Sequence, residues 1–129
     1  MIALAKAIAS KKFSTVAVAT AFAKRAIIAY QLMCCLTEWF MDEAIEQAKL
    51  LDDYLEDNGK PIGPLHGVPI SVKLQISIAG HWSMAGTLNT FQKASRDSQL
   101  IAILRNAGSV FYCKTNQPQS LMSLESLSI

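Results

Sequence analysis

The chain has 129 residues, of which 51% are apolar and only 17% charged, with a mean hydropathy of +0.26. That is one domain or part of a larger one, and it excludes intrinsic disorder. Twelve Lys and Arg against ten Asp and Glu leave +2, too little to indicate nucleic acid or an anionic membrane as partner.

Residues 1–9 are mildly apolar with a single lysine and read as a helix, since no basic segment precedes an apolar core as a signal peptide would require. Ser14 is a candidate N-cap for a helix to about Met33, with Val18, Phe22, Ala26 and Tyr30 predicted as its buried stripe. The longest apolar run, residues 26–37, falls short of the roughly 20 residues of a spanning helix, so no membrane span is expected. A second helix over 41–57 carries Met41, Ala44, Ile45, Ala48, Leu51 and Leu55 at steps of three and four. Asp42 and Glu43 suit its first turn, and Gly59 ends it. Residues 68–73, β-branched and opened by Pro69, read as a strand. A polar connection from Gln75 to about Ser95 follows. Asp97 or Ser98 then caps a third helix bearing Leu100, Ile101, Leu104 and Ala107, which Gly108 stops. Residues 109–113 read as a buried strand. Strand, crossover helix and strand make a βαβ unit, hence an α/β class with a sheet that is at least partly parallel. So few strands leave open edges, which predicts the opening of a larger sheet and a route to self-association.

Three cysteines (Cys34, Cys35, Cys113) form neither a disulfide framework nor a CxxC pair, which favours a reducing compartment and a cytoplasmic chain. His66 and His81 belong to no metal-ligand pattern and read as surface or structural histidines. The glycines make no phosphate loop, and no GxSxG elbow occurs. No metal or other cofactor is therefore expected. Asp52, Asp53, Glu56 and Asp57 read as the solvated end of a helix. Lys73 stands apart. It ends a strand where open α/β sheets assemble their sites, and apolar neighbours there would strip it of water and free it as a base; on spacing alone, a strand-end lysine reaching solvent is the favoured reading.

The segment Gly63-Pro64-Leu65-His66-Gly67-Val68-Pro69-Ile70-Ser71-Val72-Lys73 resembles the GPLHGxPxSxKD segment of the amidase signature family. Cys35-Leu36-Thr37-Glu38 is similar to the CLTE stretch of those proteins, and Lys114-Thr115-Asn116-Gln117-Pro118-Gln119 to their KTNxPQ segment. The flavour is that of fungal acetamidases and fatty-acid amide hydrolases. The resemblance implies an incomplete N-terminal part of the amidase signature fold, with helices packed on a mixed, partly parallel sheet. Residues 1–60 would be its helical region and 61–129 the start of its α/β core. It implies hydrolysis of small-molecule carboxamides by a triad of Ser, a second Ser on a cis peptide, and Lys. Lys73 would be that lysine, and Met122 and Ser123 would contact substrate.

Two departures qualify the implied activity. The Gly-Gly-Ser-Ser-Gly-Gly run that carries both serines does not occur in these residues, and Leu74 replaces the usual acid after the lysine. The chain is therefore expected to be inactive alone. A different expectation, a non-catalytic interaction protein whose open sheet edge a partner completes, stands beside it.

Overall fold

Ser14 starts the long helix as its type and place require: its Oγ accepts from the Ala17 N–H at 3.1 Å. The computed structural model describes residues 1–85, 87–118 and 121–122. In chain order these form α1 (Ile2–Ala9), α2 (Thr15–Met33), β1 (Leu36–Trp39), α3 (Met41–Asn58), β2 (Pro69–Lys73), β3 (Trp82–Ser83), a 3₁₀ turn (Leu88–Thr90), β4 (Gln92–Lys93), α4 (Gln99–Asn106) and β5 (Val110–Thr115).

The crossover unit is present: β2 pairs with β5 in parallel, with α4 between them in sequence. An element absent from the sequence reading joins them. β1, inside the region read as helical, pairs antiparallel with β5, giving a mixed sheet of order β1-β5-β2. β5 is buried from Val110 to Lys114 and separates two clusters. One gathers Phe40, Val72, Ile78, Ile101 and Phe111; the other gathers Ala44, Leu51, Val110, Tyr112 and Cys113. The polar connection after β2 folds into the β3–β4 hairpin, where Trp82 and Phe91 stack at 4.4 Å.

α2 keeps only part of its predicted stripe, Val18 buried and Ala26 half-buried against the core. Thr15, Val18, Ala19 and Ala23 are buried, whereas Phe22 and Tyr30 are exposed. α2 packs on α3, and its buried residues include the small Ala19 and Ala23. Ile27, Ile28, Leu32 and Met33 also remain exposed. By length and composition alone the 19-residue α2 is apolar enough to cross a membrane, which does not by itself overturn the expectation of no span. Here it lies on α3, with Lys24 and Arg25 at its middle. Asp52 corrects another expectation. Far from being only solvated surface, its carboxylate accepts from Thr15 N at 2.6 Å and Val16 N at 3.1 Å, capping α2 from the neighbouring helix.

The Gly-Pro-Leu-His-Gly corner docks on the end of α4. Leu65 N–H donates to Ala107 O, and Gly67 N–H to Gly108 O. Gly108 has φ +89°, and a Cβ there would stand 2.6 Å from Ile62 Cγ2 and 2.9 Å from His66 Cα. Gly108→Ala is expected to cost about 3 kcal/mol, combining left-handed strain with overpacking against backbone. A urea midpoint lowered at unchanged slope would register it, and a loss below about 1 kcal/mol would mean that the corner can yield.

Candidate active site

Because β2 and β5 run parallel, their C-terminal ends meet at one edge of the sheet, where Lys73 lies opposite Thr115. The Lys73 Nζ donates to Asn116 O at 3.0 Å, and the next residue's N–H donates to Thr115 O. Lys73 is exposed among the described residues, so the desolvation expected of it is not supplied by its own strand neighbours. Leu74, standing where an acid was expected, is buried at 3% exposure. Its environment suits the apolar side chain present and would penalise an unpaired carboxylate.

The segment from Lys114 to Gln117 ties this edge together. Asn116, whose carbonyl receives Lys73, is itself fixed to the α2–β1 turn: its N–H donates to Cys35 O at 3.1 Å and its Nδ2 to Cys34 O at 3.2 Å. The buried Gln117 accepts from Gln75 N–H through Oε1 at 3.2 Å and donates from Nε2 to Met84 O. Ser83 Oγ closes the same loop on Gln75 O at 3.0 Å.

Beneath it lies a set of charged groups that the sequence reading missed. Lys114 is wholly buried, and its Nζ donates to Trp82 O. Burial pulls its pKa below the usual lysine value, while Glu38, directly across the β1–β5 pair, acts to raise it. Glu38 Oε1 also receives Trp82 N–H at 3.3 Å and faces His81 Nδ1 at 3.1 Å. His81 Nε2 faces Glu43 at 3.2 Å, and Phe40 packs on the ring at 4.2 Å. The usable signal was a lysine continuing the apolar run of β5, where a solvated side chain has no exit.

Both histidines are structural, and neither is on the surface. His66 Nδ1 accepts from Ile62 N–H at 3.2 Å, so the ring is neutral there, consistent with burial lowering its pKa. Among the described residues no cluster of His, Cys, Asp and Glu could hold a metal. Met122 is 87% exposed, and Ser123 lies outside the described residues.

The family model described as Amidase matches residues 17–128. The chain belongs to the Amidase family. It is 44% identical over 129 residues to an amidase of Gibberella moniliformis, covering 98% of this chain and 24% of that protein. An acetamidase of Emericella nidulans is 43% identical, covering 97% of this chain and 23% of its own length. A solved fatty acid amide hydrolase superposes with a TM-score of 0.93 at 40% identity, over 97% of this chain and 22% of that one. The chain thus spans about a quarter of the length of the curated relatives it matches. The expected family and partial fold hold, with Lys73 and the Lys114–Gln117 segment both inside the matched residues.

Proposed function

We propose that this quarter of an amidase fold supplies the general base of carboxamide hydrolysis, with Lys73 as the lysine of a Ser–cisSer–Lys relay. The observation that carries the reading is the position of Lys73: the C-terminal end of the parallel β2–β5 pair, with Nζ on Asn116 O, inside the family match. Lys73 in its neutral form would take the proton of the bridging serine. That serine would deprotonate the nucleophilic one, which attacks the amide carbonyl and forms an acyl-enzyme as amine or ammonia leaves. Both serines belong to a Gly-Gly-Ser-Ser-Gly-Gly run that these residues do not contain, so the 129-residue chain has no nucleophile to activate. We place the reaction in the cytoplasm and its substrate among small amides, in keeping with the amidase and acetamidase names of the relatives.

Purified chain incubated with acetamide or a fatty-acid amide is expected to release no ammonia above the uncatalysed background. Turnover that vanishes in Lys73→Ala would overturn the inactivity and relocate the nucleophile within these residues.

A second reading rests on a separate observation. Among the described residues β1 and β2 each pair on one side only in the three-stranded sheet, and α2 exposes Ile27 and Tyr30 beside β1. An apolar face next to a free strand edge suits a non-catalytic role in which a partner or a second copy completes the sheet. Sedimentation distinguishes the two, since this role requires a defined complex at micromolar concentration.

A further inference from the structure

Gln117 occupies the position that the KTNxPQ pattern leaves unspecified, yet it is 8% exposed and both ends of its amide are engaged. Oε1 accepts from Gln75 N–H, two residues after Lys73, and Nε2 donates to Met84 O at the end of the β3 segment. The neighbouring Asn116 holds the Lys73 Nζ through its carbonyl. Ser83 binds the carbonyl of Gln75, whose N–H Gln117 receives. Three segments that are far apart in sequence (73–75, 83–84 and 116–117) therefore close into one ring around the base of Lys73, with Gln117 at the junction.

Only a neutral side chain with an acceptor at one prong and a donor at the other can serve both contacts. A glutamate would keep the bond from Gln75 but set a carboxylate oxygen against Met84 O. A methionine of similar volume would leave the half-buried Gln75 N–H and Met84 carbonyl without these partners.

We propose that Gln117 is a positioning residue for Lys73: by joining Gln75 to Met84 it fixes the path of the chain on either side of the Asn116 carbonyl that holds the amine. The proposal rests on reading Lys73 as the base.

The test uses the full 129-residue chain, unaltered and as Gln117→Met and Gln117→Glu. Amide hydrogen exchange, and acylation of Lys73 by acetic anhydride relative to the exposed Lys49, are followed by mass spectrometry and NMR. Gln117→Met is expected to speed exchange of the Gln75 amide by about tenfold or more and to change the Lys73-to-Lys49 acylation ratio. Amides of Ala48 and Val110 should stay within about twofold. Gln117→Glu should retain the protection of Gln75 while still altering the Lys73 ratio. An unchanged Gln75 amide in Gln117→Met overturns the proposal. So does a uniform rise across all amides, which would make Gln117 an ordinary core contact, and so does an acylation ratio that neither variant moves. Failure of the base reading would show elsewhere, as turnover surviving Lys73→Ala in an assembled enzyme, and would leave the exchange result at Gln75 untouched.

Discussion

A chimera in which these 129 residues replace the matching quarter of the Gibberella moniliformis amidase is expected to lose about a thousandfold in kcat for a small carboxamide on Lys73→Ala, about 4 kcal/mol of barrier. The size follows from the role. A relay member that must accept a proton cannot be replaced piecemeal, because the serines do no work without it. Lys73→Arg is the sharper variant. Guanidinium keeps the positive charge and can reach Asn116 O, but it does not give up its proton in the working range, so it should be as inactive as alanine. A chimera in which Lys73→Arg keeps most of its kcat would show that the residue supplies charge, and the relay would be abandoned. A rise in KM with kcat preserved would assign it to substrate binding. Lys73 is exposed among the described residues, with its Nζ on Asn116 O.

What could be read from sequence follows the strength of local signals. α3 was legible because its apolar residues hold one face and Gly59, at φ +66°, closes it. α4 and β5 were legible for the same kind of reason: Ser98 caps at Ile101 N–H, and an apolar run follows Gly108. β1 was not. Its Glu38 turns inward and its Trp39 outward, the reverse of the alternation that marks a half-buried strand. Glu38 can do this because Lys114 across the sheet and His81 and Trp82, more than forty residues along, arrive to receive it. The α2 stripe failed for a related reason. A helix apolar nearly all round carries little phase, and the face of α2 that packs is fixed by its contact with α3. The sequence around Lys73 predicted a strand that ends on it, as β2 does, but the partners of Lys114 and Gln117 are set by the β3 segment, whose position only the tertiary fold fixes.

Lys114→Ala is expected to destabilise the chain by about 4 kcal/mol, and Lys114→Met by about half as much. Both variants strand the Trp82 carbonyl and remove the positive charge opposite Glu38, whose Oε2 is already buried without a partner. Methionine refills the volume of the lysine stem; alanine adds a cavity beside a sheet with no slack, because Lys114 has no exposed surface at all. The pH dependence has a definite sign. Burial places the folded pKa of Lys114 below its ordinary 10.5, so between those two values the unfolded chain binds more protons than the folded one. Stability contributed at this position therefore rises as pH climbs from the folded value towards 10.5 and is lowest below it. Urea midpoints across that window should show the gap between unaltered chain and Lys114→Met widening with pH. A gap that narrows would mean that Glu38 outweighs desolvation, making Lys114 a cation that the fold favours. Equal losses for methionine and alanine would instead assign the whole effect to the Trp82 carbonyl and none to packing.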